Sequence, residues 1–352
     1  MAASGEEPKF AHDFATAPDG GKLSYYTIGS GPHLLILHGS ATYSLLHDEL
    51  AVALSPYYTV HLASRRGRGL SSPYPQSVLE LPATNAVDPA SPMAAIRIGT
   101  ATYTRTYNPE FASAVIATEV SDIETLVATT QAEYILGVSS GGLITLQTLL
   151  ETPRSPSLST LRKVAIMEPP AFYTDHPTTC RIDNLPRFER ELASGDTAGA
   201  AITAMRVIEL GPGWIPRWIM KTLARMMFKG QESDVAKRRA SGEEDRGVCT
   251  MSGLTPVLRY DFALVEGMIG ESEQYRALSR GGVEIMLLSG GKSPAWMQEG
   301  ISVLASAIAG VRVVVIEGVG HELTCNAEMR GQPAKAVPAL CEFFQEGEET
   351  VE

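Results

Sequence analysis

Cysteine is scarce in this chain: four residues, at 180, 249, 325 and 341, out of 352. They have neither C-x-x-C spacing nor the density of a disulfide framework, which excludes a small disulfide-stapled fold and points to a reducing compartment, with the cytoplasm as the expected location. Basic charge is also short. Twenty-nine Lys and Arg stand against forty Asp and Glu, for a formal net charge of −11, so a polyanion is repelled overall and nucleic acid is not an expected partner. No apolar run approaches the length of a membrane span, and Met1 to Thr16 is polar, without the apolar core of a secretory signal. Internal repeats are absent. The seven histidines show no H-E-x-x-H or paired spacing, so no metal site is expected.

What is present fits a globular α/β protein. The apolar fraction is 44%, and the length suffices for one large α/β domain with an insertion. Leu23, Tyr25 and Thr27 alternate between turn signals within Gly20 to Gly31, predicting an edge meander. Short apolar runs at Leu34–Leu37, Tyr58–Leu62, Tyr134–Leu136, Lys163–Met167, Val283–Leu288 and Val311–Ile316 read as strands. Helical spacing separates them at Leu45–Leu54, Pro109–Thr130, Leu143–Leu150, Ile301–Ile308 and Ala334–Phe344. This alternation predicts a mostly parallel, doubly wound sheet covered on both faces. Ser72 to Tyr107, rich in Pro, Ala and Thr, reads as a long excursion that is largely loop. Between Pro169 and Gly282 no strand is expected, while helices are predicted in Phe188–Ala193, Ala198–Leu210, Ile215–Phe228 and Phe262–Met268. The expected organisation is a tail (1–19), a core in two parts (20–170 and 281–346) and an inserted helical lid (171–280).

The chemistry centres on Gly137-Val138-Ser139-Ser140-Gly141. This G-x-S-x-G lies between a buried strand and an apolar helix, the context of a serine nucleophile on a tight strand-to-helix elbow. A hydroxyl is a weak nucleophile at neutral pH and needs a base, which itself needs an orienting acid. His321, in the glycine-rich loop Glu317-Gly318-Val319-Gly320-His321 after the last strand, is the candidate base. His38-Gly39-Ser40 closes the strand expected beside the serine strand. The backbone amides of Ser40 and Ser140 are therefore candidates for an oxyanion hole, and His38 for a structural role. Two other signals carry less. Gly291-Lys292-Ser293 resembles a P-loop ending, but the first glycine of that motif falls at Met286. The basic run Arg65-Arg66-Gly67-Arg68 reads as a solvated loop face.

Four motifs in order, His38-Gly39, Arg66-Gly67-x-Gly69-x-Ser71, Gly137-x-Ser139-x-Gly141 and Gly320-His321, resemble those of α/β-hydrolase fold enzymes over about residues 20 to 345. The chain departs from that pattern in two places. Ser64 replaces the usual aspartate before the Arg-Gly motif, and Ser293 stands where the family commonly has its catalytic aspartate. A serine carries no negative charge to stabilise an imidazolium, so the resemblance directs attention to Glu168, at the carboxyl end of the strand after the nucleophile helix. Haloalkane dehalogenases and zearalenone-type lactone hydrolases have a glutamate there. Asp261 and Glu322 remain alternatives.

The implied activity is hydrolysis of a carboxylic ester or lactone of a mainly apolar small molecule by Ser139, His321 and Glu168, without cofactor. Carbon–carbon cleavage or cyclisation on the same site, or a degenerate binding protein, are the rival readings. Trp214, Trp218 and Met226 are candidate substrate-binding residues, with the lid's own core as the other reading. The oligomeric state is not legible.

Overall fold

The structure is a computed structural model that describes residues 9–346 apart from 85–94, 99–100, 152, 154, 171–180, 209–213 and 270–271. Ten strands are described: β1 (Ala11–Thr16), β2 (Lys22–Ile28), β3 (His33–Leu37), β4 (Thr59–Ala63), β5 (Ala95–Ile98), β6 (Ala101–Thr104), β7 (Tyr134–Val138), β8 (Lys163–Met167), β9 (Glu284–Gly290) and β10 (Arg312–Ile316). Eight form one sheet in the order β1-β2-β4-β3-β7-β8-β9-β10, while β5 and β6 make a separate hairpin. The pairs β1–β2 and β2–β4 are antiparallel, and every pair from β4 to β10 is parallel. All six strands expected from apolar runs are present.

The helices are α1 (Asp48–Leu54), α2 (Gln76–Leu79), α3 (Pro109–Thr130), α4 (Ser140–Glu151), α5 (Leu185–Ala193), α6 (Thr197–Val207), α7 (Arg217–Ala240), α8 (Met251–Met268), α9 (Ala295–Ala307) and α10 (Val337–Gln345). Alternation along the strands assigns side chains to the two faces. Leu35, Leu37 and Ile135 join the core under α3, α4 and α8, whereas Leu34, Ile36, Tyr134 and Leu136 join the core under α1 and α10. Both faces are therefore apolar, as a parallel sheet between helices requires. The start of α3 is written locally: Pro109 occupies the first turn and the Asn108 side chain accepts a hydrogen bond from the Glu110 amide at 2.9 Å.

Three expectations need revision. The segment expected as a tail, 1–19, contributes β1, which pairs with β2 in register Ala11↔Thr27 to Thr16↔Lys22; its first eight residues lie outside the described ones. Polar outward positions on an edge strand hide the apolar signal that marks central strands. The described part of the excursion at 72–107 holds α2, the β5–β6 hairpin and a bridge between Thr84 and Tyr107, while 85–94 and 99–100 lie outside the described residues. Finally, α7 and α8 are longer than their apolar cores suggested. Helix α8 begins at the Thr250 cap and runs through Pro256, whose missing N–H interrupts the pattern without ending the helix so near its start.

Candidate active site

The carboxyl ends of the parallel strands form one edge, and the chain folds out in opposite directions from β3, toward β4 and toward β7. Open α/β sheets bind ligands at such a switch point. Ser139 follows β7, and its amide donates to the Met167 carbonyl at 2.8 Å. Its φ is +52°, a left-handed conformation that costs a non-glycine residue roughly 1–3 kcal/mol and persists where the surroundings over-determine it. The crossing of strand and helix is too close for side chains. A Cβ on Gly141 would stand 2.7 Å from the Leu37 carbonyl oxygen, and one on Gly39 would stand 2.8 Å from Ser139 Cβ.

Glu168 follows β8, also at positive φ, +41°, and is fully buried. One carboxylate oxygen, Oε1, accepts from Ser289 Oγ and from the Gly290 amide, both at 2.7 Å; the other, Oε2, lies 2.6 Å from His321 Nδ1. Burial alone would raise the Glu168 pKa. The hydrogen bond and charge of His321, followed by the Ser293 hydroxyl and the Gly290 N–H, outweigh it and hold the carboxyl below its ordinary range. His321 itself is partly exposed. Its loop is tied to the β9 loop, since the Gly291 amide donates to the Ile316 carbonyl at 2.9 Å and the Lys292 amide to Val319 at 2.7 Å.

The structure therefore pairs His321 with Glu168, and with neither alternative acid. Glu322 is exposed, and Asp261 is buried among Arg65, Arg68 and Ser140. Ser293 is buried as well; its hydroxyl makes no hydrogen bond of normal geometry, yet it stands close enough to help hold the Glu168 pKa down, after His321. Ser289 and Gly290, unnoticed in the sequence, complete the shell around the carboxylate. Their signal was a run of small residues ending a strand next to the site. Among the described residues no hydrogen bond joins Ser139 to His321; such contacts commonly tighten only with substrate in place.

Ser40 and Ser140 adjoin one another, Ser40 Oγ donating to Ser140 Oγ at 3.0 Å. Neither backbone amide donates a hydrogen bond to a described residue, and the Ser140 amide opens α4, where helix N–H groups are unsatisfied. His38 is fully buried, accepts from the Arg65 amide at Nε2 (3.0 Å) and therefore donates from Nδ1 to the Gly39 carbonyl (2.8 Å). Burial and the nearby Arg68 and Arg65 charges hold its pKa well below the usual histidine value. It is a neutral brace for the loop that carries Ser40.

Two further expectations are corrected. Arg65, Arg66 and Arg68 are not a solvated face: they are 4%, 2% and 1% exposed. Arg65 makes a bidentate pair with Glu119 (2.9 and 2.8 Å) and reaches Asp261 (2.9 Å) and Ser140 Oγ (2.8 Å). Arg66 pairs with Asp122 and Asp19, and Arg68 with Asp261. The run is tolerated inside because each guanidinium meets a carboxylate from a distant element. Trp214, Trp218 and Met226 neither build a lid core nor line an enclosed cavity, because they face solvent. Helix α7 instead turns Arg217 and Lys221 inward, toward Glu191 of α5 and Asp196 at the start of α6.

Comparison with known proteins accords with this geometry. The sequence profile of a family described as "Alpha/beta hydrolase family" matches residues 34–337. No curated protein matches the chain. Among solved structures, an alpha/beta hydrolase from Sphaerobacter thermophilus is similar over 94% of this chain and 100% of its own, at 21% identity and a TM-score of 0.63. An esterase from Exiguobacterium antarcticum is similar over the same shares, at 18% identity and a TM-score of 0.58. Naproxen esterase from Bacillus subtilis is similar over 96% of this chain and 92% of its own, at 15% identity and a TM-score of 0.51. At these identities the likeness is one of fold.

Proposed function

Because the chain belongs to the alpha/beta hydrolase family, we propose that it is a serine hydrolase that needs no cofactor and cleaves a carboxylic ester or lactone of a mainly apolar small molecule. Ser139 Oγ attacks the carbonyl carbon, and its proton passes to Nε2 of His321. The resulting imidazolium keeps its Nδ1 proton, held by Glu168 Oε2, and the carboxylate stabilises the positive charge. The carbonyl oxygen, negative in the tetrahedral intermediate, is received by the amides of Ser40 and Ser140. His321 then protonates the leaving oxygen, and the acyl-serine forms. Water enters, gives its proton to the same imidazole and releases the acid.

The observation that carries the reading is the 2.6 Å contact between His321 Nδ1 and the buried Glu168 carboxylate, at the strand edge where Ser139 holds its strained conformation. The serine at 293 is the best support for a degenerate binding protein, and the Glu168 pairing supports catalysis without an acid there. The test is steady-state hydrolysis of a panel of p-nitrophenyl esters and aromatic lactones by the wild type and Ser139→Ala. Turnover that disappears in the variant is the expected result. A folded wild type inactive on the whole panel, and unlabelled by a fluorophosphonate, would reject the serine mechanism.

A further inference from the structure

Helix α7 is built the wrong way round for a helix packed on a protein core. Of its 24 residues only Phe228 is buried. The side turned toward the molecule carries Arg217, Lys221 and Phe228, at helical spacing. Arg217 Nη2 donates to Glu191 Oε1 at 2.6 Å, to the Gly199 carbonyl and to Thr203 Oγ1 at 2.8 Å each. Lys221 pairs with Asp196, and Arg225 approaches the same carboxylate at 3.7 Å. Polar contacts thus anchor the helix and leave its apolar side free.

The outer half of α7 runs from Trp218 at one edge through Met226 and Leu223 to Met227 at the other, at about 100° per residue, with Trp214 just ahead of the helix. They are 83% (Trp214), 72% (Trp218), 66% (Met226), 54% (Leu223) and 47% (Met227) exposed. An apolar cluster of this size on a soluble surface marks a place where something docks. Charge identifies the occupant. Of the seven Lys and Arg of α7, Arg217, Lys221, Arg225, Lys237 and Arg239 face carboxylates, in a chain whose net charge is −11. Lys229 and Arg238 are exposed and make no ion pair with a described residue. Two copies meeting through this face about a two-fold axis would bring these cations together, whereas an anionic amphiphile surface satisfies both the apolar and the cationic groups.

We propose that the outer face of α7 docks on an anionic lipid surface, with Trp214, Trp218, Leu223, Met226 and Met227 in the headgroup layer and Lys229 and Arg238 on the lipid acidic groups. Tryptophan and apolar side chains flanked by cations suit that layer. No described helix is long and apolar enough to cross a membrane, so the contact is superficial. The inference is independent of the hydrolase reading, because it is read by binding alone and equally in Ser139→Ala.

The experiment titrates the full-length protein with vesicles of phosphatidylcholine and of phosphatidylcholine mixed with phosphatidylserine, following tryptophan emission and co-flotation. Of the three tryptophans, Trp296 is buried, so a change reports Trp214 and Trp218. The expected result is a blue shift with the mixed vesicles, reversed by added salt. Affinity should fall at least about tenfold in Lys229→Glu/Arg238→Glu, a variant that keeps wild-type turnover of a soluble ester. Trp214→Ala/Trp218→Ala should abolish flotation while its circular dichroism stays native. Equal affinity for both vesicle types, no flotation with either, or a concentration-dependent dimer that Trp218→Ala disperses would each overturn the proposal.

Discussion

Ser139 and Glu168, the nucleophile and acid of the proposed triad, both hold positive φ angles and follow adjacent parallel strands. Glu168 is held by three contacts that favour its charged form, so Glu168→Gln, which keeps the shape and loses the charge, should cut kcat roughly 10³-fold or more in a folded protein. Ser293→Ala should leave turnover within about twofold, because the Ser293 hydroxyl makes no normal hydrogen bond. A folded Glu168→Gln with near-normal kcat, or a severe loss in Ser293→Ala, would move the acid elsewhere. Ser140 supplies a second prediction. Its hydroxyl meets Arg65, Ser40 and Asp261, contacts that hold the first residue of α4 and hence the amide proposed to receive the oxyanion. Ser140→Ala should lower kcat roughly tenfold with KM and the unfolding midpoint little changed; loss of stability without a kcat effect would make the contact purely structural. The serine and histidine of the site were legible because their motifs are local. The proposed acid required the resemblance to related folds, since nothing in Met167-Glu168-Pro169 itself distinguishes an orienting carboxylate from a solvated one.

At the level of elements, the elbow works because β3, β7 and α4 cross almost in contact. A Cβ at Gly141 would press on the Leu37 carbonyl oxygen, which belongs to rigid backbone. Gly141→Ala should therefore force α4 away from β3, costing about 1–3 kcal/mol of stability by denaturant titration and lowering kcat through displacement of the Ser140 amide. A fully stable, fully active Gly141→Ala would contradict the close crossing. Strands β3, β7, β8 and β9 were legible as short apolar runs, since burial on both faces removes any need for polar residues; β10 shows the same run although it is an edge strand with Val313 and Val315 exposed. Helix α7 was legible only as a helix. Which of its sides faces inward depends on Glu191 and Asp196, carboxylates on other helices that its own amphipathic pattern does not reveal.

For the whole molecule, buried charge and buried histidine set the response to pH. His47, buried beside the loop that follows His321 and bound through Nδ1 to the Thr324 carbonyl at 2.9 Å, has its pKa pushed down to about 4 by burial. Between that value and the ordinary histidine pKa of about 6.5 the unfolded chain binds a proton that the folded chain refuses. This contribution is complete above pH 6.5 and is lost as the pH falls toward 4. His47→Gln lacks it, so the destabilisation caused by the substitution should be about 2 kcal/mol smaller at pH 4.5 than at pH 6.5. Denaturant titrations of both proteins at the two pH values check this; an equal difference at both would show that His47 is protonated in the fold.

By itself the sequence determined the α/β rhythm, the parallel core of the sheet, the position of the tight Gly137–Gly141 turn and the histidine loop, because strand periodicity, glycine at close crossings and chain order are all encoded within a few residues. Tertiary structure decided which carboxylate serves His321, that the Arg65-Arg66-Gly67-Arg68 run lies inside, and which way α7 turns. Each of these depends on a partner far along the chain: His321 and Glu168 are 153 residues apart, and Arg65 and Asp261 are 196. The energy of a buried charge is set by what stands opposite it after folding, and a local pattern does not contain that neighbour.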